Sequence, residues 1–124
     1  MTPARSRARL SGAQRIARRL DFLAAEKRGR KQAGPHFVFF LNPRTSPGAA
    51  TAPSRLGLTV SRRVGNAVVR NRVKRWIREA YRRQARTLPA GHDLVVIARP
   101  AAATVGYAAT FQTLERLAEK RGRS

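Results

Sequence analysis

The apolar residues between Asn66 and Arg86 recur at helical spacing and predict a long amphipathic helix. At about 100° per residue they fall on one arc of roughly 140°, made of Val69, Val73, Trp76, Ile77, Ala80 and Tyr81. The neighbouring arc is polar and mostly basic, and we call it the basic ridge: Arg70, Asn71, Lys74, Arg75, Arg78 and Arg82. We therefore expect one face of this helix in the core and the other outside.

Three other apolar stretches predict strands. HFVFFLN (36–42) is aromatic and β-branched, with apolar residues on both strand faces. RLGLTVS (55–61) alternates apolar with small or polar residues, which is typical of a strand with one buried face. LVVIARP (94–100) is a near-continuous apolar run that ends at a proline. One face of the aromatic strand then needs a cover, which is either a helix or a ligand.

Two further helices are expected, one on each side of these elements. The first runs from Arg18 to Arg28 and is closed by Gly29, and its predicted core face carries Leu20, Leu23, Ala24 and Lys27. On this assignment Phe22 points away from the core. The second follows Thr104, with apolar residues at helical spacing: Tyr107, Ala108, Phe111, Leu114, Leu117 and Ala118.

With room for one more short strand, the order α-β-β-β-α-β-α predicts an α+β fold, a small two-layer α/β sandwich. We divide the chain into a basic flexible arm (1–14), a single domain (15–120) and a basic tail (121–124).

Composition adds a large excess of positive charge. The 124 residues include 27 Lys and Arg against 6 Asp and Glu, a net charge of +21. A domain of this size needs only about 2–8 net charges for solubility, so this much self-repulsion indicates a polyanionic partner. Cysteine is absent, which rules out disulfides and thiolate metal sites. No apolar run approaches 18 residues, and we expect a cytoplasmic protein that does not enter membranes.

The basic ridge favours nucleic acid as that partner. A solvated helix face usually alternates Glu with Lys, whereas Arg70, Lys74 and Arg78 are like-charged at i,i+4, and each such pair costs a few tenths of a kcal/mol. A phosphate backbone supplies the missing counter-charges. Asn71 is the neutral residue in this run, with both a donor and an acceptor for a specific partner.

The acids do not indicate a protein nuclease. General acid–base and two-metal chemistry need carboxylates that converge, and the six acids are scattered: Asp21, Glu26, Glu79, Asp93, Glu115 and Glu119. His36 and His92 have no ligand partner at metal spacing. An intrinsic protein nuclease is therefore not expected.

The stretch GLTVSRRVGNAVVRNRVKRWIREAYR (57–82) resembles the signature of the protein component of bacterial ribonuclease P, whose hallmark is the run seen here as Arg70-Asn71-Arg72. The resemblance covers about residues 15–120. It extends, in the family's order, to LDF (20–22), GR (29–30), FVFF (37–40), LPAGHDLVVIARP (88–100) and a C-terminal amphipathic helix.

The resemblance implies an accessory protein subunit of an endoribonuclease. The catalytic RNA of the family hydrolyses a phosphodiester with magnesium ions that the RNA itself binds, and so removes the 5′ leader of precursor tRNA. One protein per catalytic RNA is expected, and no cofactor is expected on the protein alone. The resemblance also implies a left-handed crossover between the strands at 55–61 and 94–99 around the basic helix, against the general right-handed rule.

The resemblance assigns two sets of site residues. The RNA-facing block maps onto Ser61, Arg62, Arg63, Asn66, Arg70, Asn71, Arg72, Lys74, Arg75 and Arg78. A cleft for the single-stranded leader maps onto Phe22 and Phe40, whose rings would stack on bases. Glu26 stands where many members carry a second aromatic residue, which argues against a two-ring platform.

A structural RNA-binding protein, of the ribosomal or nucleoid kind, is the alternative, and composition alone does not separate the two. A generic basic binder would hold mature and precursor tRNA equally well, and both complexes would weaken steeply with salt.

The charge also predicts that folding depends on anions. We expect the free chain to be partly unfolded at low salt and to gain helix when sulfate or phosphate is added, because anions relieve the repulsion among its cations. Circular dichroism in the far ultraviolet measures this directly. A helical signal that does not rise with either anion would contradict the prediction.

Overall fold

Four strands form one mixed sheet in the computed structural model, which describes residues 15–16, 19–45, 47–84 and 88–123. They are β1 (Arg30–Ala33), β2 (Phe37–Pro43), β3 (Arg55–Val60) and β4 (His92–Ala98). The helices are α1 (Arg19–Arg28), α2 (Ala67–Gln84) and α3 (Tyr107–Arg123), with short 3-10 turns at Ala49–Thr51 and Pro100–Thr104.

The element order confirms the predicted α-β-β-β-α-β-α arrangement, and β1 is the extra short strand. The arm 1–14 lies outside the described residues, as does residue 124 of the tail, whereas residues 121–123 continue α3. The division into arm, domain and tail stays a prediction.

The strand order is β1-β2-β4-β3. The β1–β2 and β2–β4 pairs are antiparallel, whereas β3 and β4 are parallel, with Leu56 opposite Leu94 and Val60 opposite Ala98. Adjacent parallel strands require a crossover connection, which cannot be a tight turn. Here α2 lies in that connection, so the most basic helix of the chain also links the edge strand β3 to its inner neighbour β4. The hand of the crossover stays a prediction.

The main core lies between one face of the sheet and the helices α2 and α3. The predicted apolar arc of α2 is confirmed: Val73, Ile77, Ala80 and Tyr81 are fully buried, and Val69 and Trp76 pack against them. The sheet and α3 supply the other side of this cluster, through Phe37, Phe39, Leu41, Leu94, Val96, Leu114 and Leu117. Phe37 and Phe39 are therefore core residues.

Two polar contacts fix the rotation of α2 about its axis. The Tyr81 hydroxyl shares a buried hydrogen bond of 2.6 Å with the Ser54 hydroxyl, just before β3. Burial raises the pKa of Tyr81, although the bond to Ser54 works against this, and the phenol stays neutral. At the end of the helix, Gln84 Nε2 donates a 3.0 Å hydrogen bond to the carbonyl of Phe111 in α3. The apolar face of α2 is thereby locked inward.

The opposite face of the sheet is covered in part by α1. A second apolar cluster joins Ile16, Ala25, Phe40 and Val95, with Phe22, Val38 and Ile97 packed against it. The cover that the aromatic strand needs is therefore a helix, and the sheet is lined by helices on both sides.

The predicted core face of α1 is wrong. Leu20 and Leu23 are 66% and 45% exposed, Lys27 is exposed, and the helix turns Ala25 and Phe22 to the sheet instead. The small Ala25 side chain lets the helix approach the sheet closely, and Phe22 fills the space above a glycine of β3. Packing against the sheet outweighs the spacing of the leucines.

The apolar face of α2 generates a stability prediction. Ile77→Ala should lower the free energy of unfolding by about 2–5 kcal/mol, because it leaves a cavity between the sheet and α3. Val68→Ala on the same helix is the matched control: Val68 is 67% exposed, so we expect a change within about 0.5 kcal/mol. Urea denaturation in sulfate measures both, and similar losses from the two variants would contradict the packing described here.

Candidate nucleic-acid interface

The strand-to-helix junction between β3 and α2 presents the first three predicted RNA-facing residues. The backbone N–H of Val64 donates to the Ser61 carbonyl at 3.1 Å and closes a turn, and the Val64 side chain is buried. That anchor leaves Ser61, Arg62 and Arg63 exposed on the outside of the turn.

Asn66 caps α2. Its Oδ1 accepts a 3.0 Å hydrogen bond from the backbone N–H of Val69, which satisfies one of the free donors at the helix start. Gly65 permits the close packing of this turn, since a Cβ there would lie 2.9 Å from the Val69 side chain. Asn66 remains exposed, so it is also open to a partner.

The basic ridge runs along α2 from this cap. Arg70, Lys74 and Arg78 are half-buried where they border the apolar face, while Asn71 and Arg75 are exposed. Arg72 is exposed on the arc beyond the ridge. The Arg70 Nε donates to the Gly65 carbonyl at 3.2 Å, which holds this guanidinium against the turn. The structure thus brings all ten predicted RNA-facing residues onto one helix and the turn before it.

Salt bridges set the limit of the ridge. Within the described ranges, none of the cations from Arg62 to Arg78 has a carboxylate within 4.0 Å, whereas Glu79 accepts from Arg82 Nη2 at 3.0 Å and from Arg83 Nε at 3.1 Å. Arg82 is therefore partly neutralised. The unpaired positive charge extends from the turn at Arg62 to Arg78 and then stops.

Arg15 is a further basic residue near the ridge, and the sequence pattern did not predict its position. The Ile16 backbone N–H donates to the Leu56 carbonyl at 3.0 Å, so this short segment pairs with the free edge of β3 and the Ile16 side chain is buried. Arg15 itself is exposed. Burial lowers the pKa of Arg78, and the positive charge of Arg15 lowers it further, which places the two guanidiniums in one electrostatic neighbourhood. No local pattern predicts this pairing with β3.

A cleft of about 410 Å³ lies between α1 and β3, and its lining residues are Arg19, Phe22, Leu23, Glu26, Leu58 and Thr59. One wall is the Phe22 ring with the exposed Leu23, and the charges of Arg19 and Glu26 balance. Of the two predicted aromatic residues, the structure brings only Phe22 to this cleft. Phe40 is 9% exposed and packs beneath α1 with Ala25 and Val95.

The cleft and the RNA-facing surface are adjacent. Thr59 lines the cleft, and Ser61, directly after the end of β3, begins the exposed basic turn. The cleft and the basic turn are therefore two residues apart along the chain.

Two further findings bear on the kind of site. Within the described ranges, no three His, Asp or Glu side chains lie close enough together to hold a metal ion. The helices described here are all too short or too polar to cross a membrane.

Comparison with known proteins gives consistent matches. The ribonuclease P family model matches residues 10–122. The ribonuclease P protein component of Desulfovibrio desulfuricans is 48% identical over 85 residues, covering 68% of this chain and 63% of that protein. The protein component of Desulforapulum autotrophicum is 37% identical over 111 residues, covering 90% of this chain and 91% of that one. The structure of the Staphylococcus aureus ribonuclease P protein superposes with a TM-score of 0.74 at 31% identity, over 87% of this chain and 94% of that one.

The helix cap generates a prediction that separates stability from RNA contact. Asn66→Ala should lower the free energy of unfolding by about 1 kcal/mol, because the Val69 N–H loses its acceptor. Asn66→Asp keeps an acceptor and should keep the stability, yet it places a negative charge on the RNA-facing surface and should weaken RNA binding. Urea denaturation and filter binding measure the two effects. Wild-type RNA affinity in Asn66→Asp would remove Asn66 from the interface.

Proposed function

Because the chain belongs to the family of bacterial ribonuclease P protein components, we propose that it assists removal of the 5′ leader from precursor tRNA through two separate RNA contacts. The basic turn and ridge bind the catalytic RNA, and the cleft between α1 and β3 binds the single-stranded leader. The observation that carries this proposal is the adjacency of an unpaired cationic helix face and a charge-balanced cleft with an aromatic wall.

The first contact is electrostatic. The guanidiniums of Arg62, Arg63, Arg72 and Arg75 are exposed and have no carboxylate partner among the described residues. Guanidinium binds phosphate through two parallel hydrogen bonds, and a folded RNA presents rows of phosphates. Since the buried face of α2 fixes the helix in the folded domain, the spacing of these groups is set once the domain has folded, and docking of the folded protein does not have to order their backbone. Arg15 extends the same surface past the edge of β3.

The second contact suits bases better than phosphates. One wall of the cleft is the Phe22 ring with the Leu23 side chain, and the positive charge of Arg19 is matched by the negative charge of Glu26. Stacking on an aromatic ring is worth about 1–3 kcal/mol per base and tolerates any sequence, as a subunit that meets many different leaders requires. A volume of about 410 Å³ is within the usual range for a small-ligand pocket.

Three of the described carboxylates are already paired with arginines. Asp21 and Asp93 both contact Arg55, and Glu79 is held by two arginines. We therefore assign hydrolysis to the RNA and the magnesium ions it binds, and to the protein the binding and placement of the substrate. One protein per catalytic RNA, acting in the cytoplasm, is the assembly that we propose.

The alternative of a structural RNA-binding protein would account for the basic surface but not for the cleft. A positively charged face is sufficient for such a protein, and that role would leave the cleft without an assigned ligand. The family relationship also favours the ribonuclease P function.

Variants at the two contacts test the proposal. Arg75→Ala should weaken association with the catalytic RNA and reduce the slope of log K against log salt by about 0.9, because one phosphate contact is lost. Phe22→Ala should leave that association unchanged and lower the preference for precursor over mature tRNA by about 5- to 150-fold, the equivalent of one lost stack. Filter binding and cleavage assays with the cognate RNA measure both.

Matched controls are available on the same fold. Arg116→Ala removes an exposed arginine of α3, and Leu20→Ala removes an exposed apolar residue of α1 that does not line the cleft. Both should behave as wild type. Shortening the leader to a nucleotide or two should erase the precursor preference. Equal losses in both assays from Arg75→Ala and Phe22→Ala would contradict the two-contact proposal.

A further inference from the structure

The face of β3 that is turned away from the main core contacts α1 at two points. Successive side chains of a strand alternate between its faces, so Arg55, Gly57 and Thr59 share the side turned to α1. Arg55 pairs with Asp21 of α1, Gly57 lies under the Phe22 ring, and Thr59 lines the cleft. Asp21 and Phe22 are neighbours in sequence. One short segment of α1 is therefore held by two positions of β3, beside the cleft.

The first point is an ionic clamp. Arg55 Nε and Nη2 donate to the two carboxylate oxygens of Asp93 at 2.7 Å each, and Nη2 lies 3.3 Å from Asp21 Oδ2. Asp93, on β4, is 3% exposed, so its two hydrogen bonds fix the guanidinium to the sheet. The same guanidinium then also contacts α1. The hydrogen bond to Asp93 raises the pKa of Arg55. The Arg55 side chain thus joins β4, β3 and α1.

The second point is a notch. A Cβ at Gly57 would lie 2.6 Å from two ring carbons of Phe22 and 3.1 Å from the Ile16 side chain. Only glycine leaves room for the ring at this height above the strand. The apolar contacts of α1 with the sheet are few, since its second-cluster members are Ala25 and Phe22. The clamp and the notch therefore matter more for this helix than for α2.

We infer that Arg55 and Gly57 are positioning residues for the leader cleft, which fix the height and rotation of α1 so that Phe22 stands where it can stack on a single-stranded base. The inference rests on the proposed function of the cleft. It assigns a role to the pair Asp21–Arg55 and to Gly57, which lie outside the basic surface. None of these three residues needs to touch RNA for this role.

The first test measures the position of α1 directly. The chain contains no cysteine, so spin labels can be attached at Leu20→Cys on α1 and Gln112→Cys on α3, both exposed positions. In sulfate, Asp21→Asn should shift or broaden the interspin distance distribution, because the neutral amide loses the ionic attraction to the guanidinium. Glu115→Gln, which neutralises an exposed acid of α3, is the matched control and should leave the distribution unchanged.

The second test measures function. In the complex with the catalytic RNA, Asp21→Asn should lower the preference for precursor over mature tRNA by about twofold to fivefold, the range of a partly exposed ion pair, and leave RNA association unchanged. Gly57→Ala should lower the preference toward that of Phe22→Ala. In the double variant Gly57→Ala/Phe22→Ala, the precursor preference should be no lower than in Phe22→Ala alone, because the ring that the new Cβ would displace is absent. If Gly57→Ala instead destabilised the whole fold, it would lower the preference by the same factor with and without Phe22.

The outcomes separate this inference from the proposed function. If Phe22→Ala loses the precursor preference while Asp21→Asn and Gly57→Ala keep it in full, the positioning role is wrong and the leader-binding role of the cleft still holds. Full preference in Phe22→Ala overturns the cleft itself. If Gly57→Ala does not fold, the Asp21→Asn distances decide, and a distribution identical to wild type rejects the clamp.

Discussion

The burial of one face of α2 is the constraint on which the rest of the structure depends. A helix with arginine and lysine at successive i,i+4 positions is disfavoured by its own repulsion, and here the apolar arc through Val73, Ile77 and Tyr81 holds it between the sheet and α3. The same helix joins the parallel strands β3 and β4. The fold therefore cannot form without placing the basic ridge on its surface, and the rigidity of the ridge follows from the core beneath it.

The few acids of the chain reinforce this division. Asp21 and Asp93 pair with Arg55 on the face of the sheet that α1 covers. Glu79 partly neutralises the end of α2. The cations between Arg62 and Arg78 have no described carboxylate partner, so external anions, such as the phosphates of a polyanion, are needed to relieve their repulsion. Next to them, the cleft balances Arg19 with Glu26. The protein thus separates a surface suited to phosphates from a cleft suited to bases, and the proposed two-contact function depends on this separation.

The sequence allowed α2 to be predicted almost completely, because its pattern extends over about five turns and the apolar and basic arcs reinforce each other. The short α1 was placed correctly in the chain but rotated wrongly, since Leu20 and Leu23 suggest one face while Gly57 and Phe22 select another. The strand β1 has the sequence RKQA, with no apolar alternation to reveal it. Its position follows from pairing with β2, which is a tertiary fact.

The candidate site likewise has one part that the sequence predicts and one part that it does not. The ten residues predicted to face RNA are local to one turn and one helix, so their spacing in sequence indicates which of them share the ridge and that Arg72 lies on the arc beyond it. The cleft depends on contacts between distant segments: Phe40 was expected in it and lies beneath α1, whereas Arg19, Leu58 and Thr59 line it. Arg15 joins the basic surface only because Ile16 pairs with the edge of β3. Sequence periodicity shows the faces of one element, and it does not show which faces of two elements meet.

Arginine footprinting of the unaltered protein tests the central claim most directly. An arginine-specific reagent is applied in sulfate with and without the catalytic RNA, and modified positions are read by mass spectrometry. The account predicts strong protection at Arg62, Arg63, Arg72 and Arg75, and unchanged reactivity at the exposed Arg30 of β1 and Arg116 of α3. Equal protection at all six, or protection confined to Arg30 and Arg116, would contradict it.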